Sequence, residues 1–543
     1  MPNAYFKIQE PKNEPYNSFD PGSPEKKELK KKLKELQEEV IEIPAIIGGK
    51  EVKSGDTIDI SMPHNHEHKL ATVHRCGEKE INMAIEAAME ARKEWSEMPW
   101  EERTSIFQKA ADLITGPWRY TMNAATMLGQ SKTPHQSEIE AVGELADFLR
   151  FNPWYLSQIM SDQPHSPDGM WNRVEYRPLE GFVFAVTPFN FTAIGGNLPT
   201  APAMCGNVVL WKPSSDSIYS NYFFMKVLKE AGMPDGVINF VPGKGRAVGD
   251  PVFASPHFSG LHFTGSVGTF NNLWKTIGDN IDTYKTYPRV VGETGGKDFI
   301  FAHNSADVDA MVVAALRGAY EYQGQKCSAA SRMYIPESIW DDFRDKFVDE
   351  VNKIKVGDVE DFTTFMGAVI SRKAFDDITG YIDYAKQADD AEIIAGGTYD
   401  DSEGYFIDPT VIVTSNPKFK TMEEEIFGPV LTIYVYKDED FDKTIELCDD
   451  TSPYALTGAI FAQDRYALKK MSKAFRQSAG NFYINDKPTA AIVNQQPFGG
   501  ARKSGTNDKA GSKVNLLRWL SMRSMKETRV PPKDWRYPYM GEE

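Results

Sequence analysis

The sequence predicts an α/β protein built on buried parallel sheets. Short apolar runs alternate with stretches of helical length between residues 180 and 475. The runs carry almost no charge, which is typical of strands covered by helices on both faces. The charge-free stretch 181–211 contains three prolines and three asparagines, which would leave broken helix and unsatisfied polar groups in lipid. We therefore interpret it as buried α/β core.

Composition limits the function classes. The 543 residues are 41% hydrophobic and 25% charged, as expected of a globular protein. The net charge of −16 argues against nucleic-acid and membrane partners, and we expect neither. The four cysteines are widely spaced and form no CxxC motif, which excludes a disulfide framework and a zinc ribbon.

The N-terminal region predicts a helix followed by strands. Ser23 can cap the helix and Pro24 suits its first turn. One apolar stripe is formed by Leu29, Leu33, Leu36 and Val40. A β-like stretch follows at 43–74, with Gly48 and Gly49 in a hairpin turn.

Three alternating histidines lie in this β-like stretch. A strand would present His64, His66 and His68 on one face, as a possible metal site. No further ligand in the neighbourhood completes a shell, so we expect an exposed polar strand and no metal.

The rest of the chain divides into a helical region and two α/β regions. Residues from about 78 to 150 are helical in pattern. The first α/β region has the alternation of a doubly wound nucleotide-binding sheet, with predicted strands at 181–186, 208–211, 237–241 and 261–263. The second has predicted strands at 333–336, 392–396, 405–413, 430–436 and 456–463. The tail, 519–543, is rich in Trp, Tyr and Pro, and we expect it to lie extended across a neighbouring subunit.

Two features favour a nucleotide site. The turn from Gly265 to Gly268 joins a strand to a helix, and its backbone N–H groups could hold a phosphate. Lys212 ends another strand of the same sheet, at the carboxyl edge where cofactors lie. The full GxGxxG spacing is absent, so a plain turn is the alternative.

Three residues could carry chemistry. Cys327 lies on a small-residue turn beside Lys326, where a thiol ionises more readily than in a core, although a buried inert cysteine is the alternative. Glu293 follows an apolar strand. Asn190 lies in a polar break after a buried strand, and its amide could donate to an oxyanion. No histidine adjoins the cysteine, so cysteine-hydrolase chemistry has no local support.

The motifs PFNF, WKPS, FTGS, ETGGK, GQKCSA and EEIFGPV occur in this order, with 34 residues from Glu293 to Cys327. Together they resemble the NAD(P)-dependent aldehyde dehydrogenase superfamily, over residues 45 to 525. The motifs LRFN, FNFTAIGGNL, NFYINDKPT and QQPFGGARKSGTNDKAG are similar to its 1-pyrroline-5-carboxylate dehydrogenase branch.

The resemblance implies an aldehyde dehydrogenase-like α/β fold. It has a Rossmann-type NAD-binding domain, an α/β catalytic domain and a small β oligomerisation arm. The expected limits are 1–44 for an N-terminal extension with an amphipathic helix, 45–153 and 177–297 for the NAD-binding domain, 154–176 and 515–543 for the arm and tail, 298–490 for the catalytic domain, and 491–514 for a substrate-anchor loop and return segment.

The resemblance also implies residue roles. Cys327 is the nucleophile, Glu293 the base that deprotonates water, and Asn190 an oxyanion donor. The implied cofactor is NAD, bound by Thr187, Lys212, Gly265, Ser266, Val267, Gly268, Thr269, Glu425 and Phe427. Ser215 stands where many members have an acid, which leaves the choice between NAD and NADP open.

The implied substrate is an amino acid with a terminal aldehyde. The matching positions for it are Glu144, Lys326, Ser328, Ala490, Ala491 and Phe498. The branch has glycine where this chain has Ala490, so we expect intact catalysis with weakened or shifted carboxylate recognition. An Ala490→Gly variant with no gain in kcat/KM would count against this.

The implied reaction is NAD-dependent oxidation of L-glutamate γ-semialdehyde to L-glutamate in proline catabolism. Another semialdehyde acid as substrate, and a catalytically silent binding protein on the same fold, are the alternatives. We expect a homodimer or higher homo-oligomer with functional coupling to proline dehydrogenase. A cytoplasmic location is expected, or the mitochondrial matrix in a eukaryote, although no transit peptide is evident.

Overall fold

The computed structural model describes residues 6–489 and 491–542, and two seven-stranded sheets organise this part of the chain. Helices cover both sheets, and the strand residues are mostly buried. The predicted α/β class is confirmed.

The first sheet contains all four strands predicted between residues 181 and 263. Its strands lie in the spatial order Arg289–Glu293, Phe258–Thr264, Phe182–Val186, Val208–Lys212, Ile238–Phe240, Ala45–Ile47 and Lys50–Val52. The first five are parallel, and the last two are added antiparallel. Its helices include Thr192–Met204, Ile218–Ala231, Gly245–Ala254 and Val267–Asp279.

The strand order of this sheet reverses at Phe182–Val186. From this strand the chain moves outwards to Ile238–Phe240, and then returns to add Phe258–Thr264 on the other side. Such a reversal opens a crevice at the carboxyl ends of the two central strands, where open α/β sheets bind ligands.

The second sheet is parallel except at one edge. Its strands lie in the order Ala391–Ala395, Thr410–Thr414, Val430–Tyr436, Ala330–Pro336, Asp298–Ala302, Thr457–Phe461 and Asn481–Ile484, with the first antiparallel to its neighbour. Its helices are Val308–Tyr320, Glu337–Val351, Arg372–Lys386, Lys420–Glu423, Phe441–Asp450 and Arg465–Ala474.

The prediction of a single strand at 405–413 is wrong. Asp408 and Pro409 divide it into Phe406–Ile407 and Thr410–Thr414, because proline cannot donate a ladder hydrogen bond. The first piece pairs instead with Tyr399–Asp400 in a separate hairpin.

The helical region precedes the first sheet. Its helices are Glu78–Trp95, Trp100–Thr115, Arg119–Gln130, Pro134–Ser137 and Leu145–Met160, with a π-helical turn at Glu138–Glu144. The N-terminal helix, Pro24–Gln37, is capped by the Ser23 hydroxyl, which accepts from the N–H of Lys26 at 3.2 Å. Leu29, Leu33 and Leu36 are buried as predicted. The prediction for Val40 is wrong, since it lies beyond the helix end and is 55% exposed.

The histidine stretch also departs from expectation. Strands Ile41–Ile43, Thr57–Met62 and Asn65–His74 form a three-stranded sheet. His64 lies in the turn before Asn65–His74 and is only 2% exposed, so an exposed polar strand is the wrong interpretation for it. The hairpin at Gly48 and Gly49 is confirmed.

The last long strand belongs to an arm. Leu520–Thr528 pairs antiparallel with Met170–Pro178 along its whole length, after the short helix Lys513–Leu517. The domain limits and the oligomerising role of this arm stay predictions. No helix among residues 6–489 and 491–542 is long and apolar enough to cross a membrane.

Candidate active site

Cys327 follows a strained turn that ties the second sheet to the helical region. Tyr322 and Gln323 have positive φ angles of 52° and 56°. The Gln323 amide donates to the carbonyl groups of Ser131 at 3.0 Å and Ala368 at 2.8 Å. Such backbone costs on the order of 1–3 kcal/mol per residue and persists only where its surroundings hold it, as at functional sites.

The Cys327 thiol lies in a low-dielectric, acidic environment. Burial raises the pKa of this thiol, and the carboxyl groups of Asp298, Glu425 and Glu293 raise it further. The thiol is therefore protonated in this state, and it must lose its proton before it can act as a nucleophile.

Glu293 ends the strand Arg289–Glu293 and is held by glycine backbone. Its Oε2 accepts from the N–H of Gly500 at 2.9 Å. A Cβ atom on Gly499 or Gly505 would lie within 3.1 Å of the carboxylate, so the small residues permit this approach. Burial raises the pKa of Glu293 well above its usual value, which the Gly500 hydrogen bond partly offsets. A raised pKa makes this carboxylate a stronger base than an ordinary exposed one.

Asn190 lies behind the nucleophile turn. Its amide nitrogen donates to the Gln325 carbonyl at 3.0 Å, two residues before Cys327. The side chain is buried and does not line the cavity described below. A second amide hydrogen remains for an oxyanion, since the side chain carries two donors.

One cavity of about 460 Å³ brings two of the three predicted catalytic residues together with five of the six predicted substrate residues. Cys327 and Glu293 line it. The predicted substrate residues that line it are Glu144, Lys326, Ser328, Ala491 and Phe498. Ala490 lies outside the described residues.

The predicted substrate residues have distinct environments. Burial raises the pKa of Glu144 to about 8, and the nearby Glu140 and Asp147 carboxyls contribute. Lys326 Nζ donates to Glu321 at 3.0 Å. Phe498 is fixed by backbone hydrogen bonds exchanged with Ala510.

An N-terminal strap, residues 13–17, forms part of the same cavity and was missed by the sequence reasoning. Asn13 donates to Asp147 at 2.7 Å and to the Val493 carbonyl at 2.9 Å. Tyr16 lines the cavity, and its ring lies so close to Gly143 that a Cβ there would be 2.3 Å from Cε1. No local signal could have revealed this contact, because the strap lies more than 100 residues from its partners.

A second missed feature is a group of cations around the cavity. Arg317 and Lys487 line it together with Lys326. Burial lowers the pKa of His135, and the charges of these three side chains lower it further. A single Lys or Arg gives no sequence signal that tells a cavity-lining side chain from one that faces solvent.

Seven of the nine predicted cofactor residues lie at the carboxyl ends of strands of the first sheet. Thr187 follows the central strand Phe182–Val186, and the turn from Gly265 opens the helix Val267–Asp279. Ser266 caps this helix by accepting from the N–H of Thr269 at 3.3 Å. An uncovered helix N-terminus at a strand-order reversal fits the pyrophosphate of a dinucleotide.

Lys212 ends the strand Val208–Lys212 of the first sheet, and Glu425 and Phe427 come from the second α/β region. Burial lowers the pKa of Lys212, and the Asp216 carboxyl partly offsets the effect. Asp216 was missed by the sequence reasoning, which considered only the preceding Ser215. Glu425 accepts from the N–H of Gly296 at 2.8 Å. Phe427 packs edge-on against Phe189, with ring centroids 5.7 Å apart.

Comparisons with known proteins agree with this geometry. The profile of the aldehyde dehydrogenase family matches residues 51–525. The mitochondrial delta-1-pyrroline-5-carboxylate dehydrogenase of Dictyostelium discoideum is 52% identical, over 99% of this chain and 97% of the relative.

Solved structures extend the comparison. The Delta-pyrroline-5-carboxylate dehydrogenase of Mycobacterium tuberculosis bound with NAD is 48% identical with a TM-score of 0.96, over 99% of this chain and all of that one. Proline utilization A from Bdellovibrio bacteriovorus is 28% identical with a TM-score of 0.91, over 96% of this chain and 54% of that one. This chain belongs to the aldehyde dehydrogenase family, in its 1-pyrroline-5-carboxylate dehydrogenase branch.

Proposed function

We propose that this chain catalyses the NAD-dependent oxidation of L-glutamate γ-semialdehyde to L-glutamate, a step of proline catabolism. One observation carries the proposal. A single cavity joins Cys327 and Glu293 to the Glu144 carboxylate and to three cations, so a reacting aldehyde and both charges of an amino acid find partners in one space.

Cys327 begins the reaction. Its thiol gives up a proton to solvent water, and the resulting thiolate attacks the aldehyde carbon. A C–S bond forms as the C=O π electrons move to oxygen, which becomes an oxyanion. We assign the second amide hydrogen of Asn190 and the N–H of Cys327 to this oxyanion. Donors fixed beforehand stabilise such a developing charge without reorganising.

The oxidation leaves a thioester on Cys327. Bound NAD would supply the acceptor for the hydride that leaves the former aldehyde carbon. The carbonyl re-forms as the C–H bond breaks, and the thioester carbon then lies beside Glu293. We assign the crevice at Thr187 and Gly265 to holding the dinucleotide.

Glu293 completes the turnover. Its carboxylate removes a proton from water, the hydroxide oxygen attacks the thioester carbon, and the Cys327 thiolate leaves. The carboxylic acid product is released as its anion. The raised pKa of Glu293 matches a base that takes and returns one proton in each cycle.

The other end of the cavity recognises the amino acid. The Glu144 carboxylate pairs with the substrate ammonium group, and Ser328 donates to its α-carboxylate. Lys326, Arg317 and Lys487 attract that carboxylate in spite of the net charge of −16. Tyr16 and Phe498 pack on the methylene groups of the substrate. These groups are apolar, and aromatic side chains give them an apolar wall.

Cofactor preference follows from Asp216. Its carboxyl group lies close enough to Lys212 to act on its pKa. An acid at this edge hydrogen-bonds ribose hydroxyls and repels the extra phosphate of NADP. We therefore propose NAD as the preferred cofactor.

Assembly and location complete the proposal. We propose a homo-oligomer held by the arm of Met170–Pro178 and Leu520–Thr528, functionally coupled to proline dehydrogenase. The structural similarity to proline utilization A supports the coupling. We propose the mitochondrial matrix or the cytoplasm as the location, since the Dictyostelium relative is named mitochondrial.

NADH formation by the purified protein tests the substrate. We expect kcat/KM for glutamate semialdehyde to exceed that for succinate semialdehyde and for propanal, because only the first offers the ammonium group that Glu144 pairs. A preference for propanal would refute the proposed substrate, and a requirement for NADP would refute the role given to Asp216.

A further inference from the structure

His64 has a buried ring nitrogen without a partner. Its Nδ1 lies 3.2 Å from the Ser131 hydroxyl, but Nε2 has no hydrogen-bond partner. The side chain is completely buried. A buried polar atom without a partner is costly, and in native proteins such an atom commonly faces a bound ion or an ordered water.

Two carboxyl groups face this nitrogen from another part of the chain. Asp358 Oδ1 lies 3.8 Å from Nε2, and one possible ligand atom from each of His64, Asp358 and Glu360 lies within 4.8 Å of the other two. The N–H of Glu360 donates to Asp358 at 2.9 Å, which fixes the two side chains in one turn. Burial raises the pKa of Glu360, and the Asp358 charge raises it further.

We propose that His64, Asp358 and Glu360 bind a divalent transition metal ion, Zn²⁺ in the first instance. One imidazole and two carboxylates are a ligand set that Zn²⁺ accepts, with water in the fourth position. The ion would occupy the unpartnered face of Nε2 and neutralise the two carboxylates.

The surroundings of His64 prepare it as a ligand. Ser131 Oγ accepts from the N–H of Ala368 at 2.9 Å and is held in place beside Nδ1. When Nδ1 carries the proton and donates it to Ser131, the Nε2 lone pair faces the carboxylates. Metal-bound histidines are commonly oriented in this way by a hydrogen bond from the other ring nitrogen.

The other two histidines of the stretch are engaged elsewhere. His66 Nε2 lies 3.0 Å from the Asp401 carbonyl, and His68 Nε2 lies 3.1 Å from the Gln37 carbonyl. Gln37 also donates to Glu360. The charges of His68 and Lys30 both act on the Glu360 carboxyl. The site would thus connect the turn at His64 to the loop of Asp358 and to the end of the N-terminal helix.

None of the three ligands lines the active-site cavity, so the ion would act on stability and not on the oxidation. The test uses the full-length Cys327→Ser protein, because the active-site thiol itself binds Zn²⁺. After treatment with a chelator, the protein is titrated with Co²⁺ and followed by visible absorption. Its Tm is measured with and without Zn²⁺.

We expect one bound Co²⁺ and a higher Tm in Zn²⁺. Both should be lost in His64→Phe and in Asp358→Asn. Asp361→Asn is the matched control, because Asp361 lies in the same loop but pairs with Lys355, and it should keep both. Asp358 is 55% exposed, so its substitution leaves the core intact even where His64→Phe disturbs folding.

The proposal is overturned if Asp358→Asn binds Co²⁺ as tightly as the parent protein does. It is equally overturned if the parent binds no Co²⁺, or if Asp361→Asn loses the ion to the same extent as Asp358→Asn.

Discussion

The two ends of the active-site cavity are built in different ways. At the chemical end, Glu293 accepts from the backbone N–H of Gly500, and glycines allow the chain to approach both Glu293 and Cys327 closely. At the recognition end, Glu144 and Tyr16 come from segments far apart in sequence, held by side-chain hydrogen bonds such as that from Asn13 to Asp147. Backbone groups thus hold the first end, and side-chain hydrogen bonds between distant segments hold the second.

Substitution of Glu293 should give the largest effect. In Glu293→Gln we expect thioester hydrolysis to slow by about 10²- to 10⁴-fold, because no carboxylate removes the proton from water. The acylated enzyme should then accumulate, and intact-protein mass spectrometry should detect the adduct on Cys327. Asp508→Asn, which removes a neighbouring carboxyl, serves as the control. Normal steady-state turnover in Glu293→Gln would contradict the assignment.

Substitution of Glu144 should weaken binding of the product. We expect Glu144→Gln to lower L-glutamate affinity about 30-fold, the value of one hydrogen bond between charged groups. Because only the carboxylate pairs with ammonium, and the pKa of Glu144 is about 8 in the free cavity, affinity in the parent protein should fall as pH drops below 8. Calorimetry over pH 6.5 to 9 measures both effects, and an unchanged pH profile in the variant would remove Glu144 from the site.

Alkylation of Cys327 should report its acidic environment. Since burial and the neighbouring carboxyls raise the pKa of the thiol, the thiolate fraction should grow about tenfold for each pH unit, with no plateau near the usual pKa of a free cysteine. Iodoacetamide labelling of the cofactor-free protein, quantified by mass spectrometry at this residue, provides the measurement. A plateau below pH 8 would show that the thiol is already activated without cofactor.

Changes to the strap should give the smallest effect. Tyr16→Ala removes part of the cavity wall, and we expect KM for glutamate semialdehyde to rise about fivefold, equivalent to about 1 kcal/mol of lost apolar contact. Tyr16→Phe keeps the ring and should leave KM unchanged. Propanal kinetics should not change in either variant. An equal loss with propanal would mean that the strap supports the fold and not recognition.

The contrast between the two ends also explains what the sequence could predict. Cys327, Glu293 and the strands beside them carry local signals, because a buried strand and the turn that follows it are continuous in the chain. The contact of Tyr16 with Gly143 and the meeting of His64 with Asp358 join segments more than 100 residues apart. Their partners depend on tertiary packing, to which local periodicity is insensitive.

The errors within the fold have the same origin. Val40 continues the apolar spacing of Leu29, Leu33 and Leu36, but the helix ends at Gln37 before reaching it. Residues 405–413 form an apolar run, but Pro409 interrupts the hydrogen-bond ladder. In both cases the composition predicts the right type of element, a helix and a strand, but not the residue at which it ends.

The central claim is that one end of the cavity performs the oxidation of any aldehyde while the other selects the amino acid. The most direct test measures kcat/KM for glutamate semialdehyde and for propanal in the parent protein, in Cys327→Ala and in Glu144→Gln. We expect Cys327→Ala to abolish NADH formation from both aldehydes, and Glu144→Gln to lower it only from glutamate semialdehyde. Activity surviving in Cys327→Ala, or an equal loss with both aldehydes in Glu144→Gln, would contradict it.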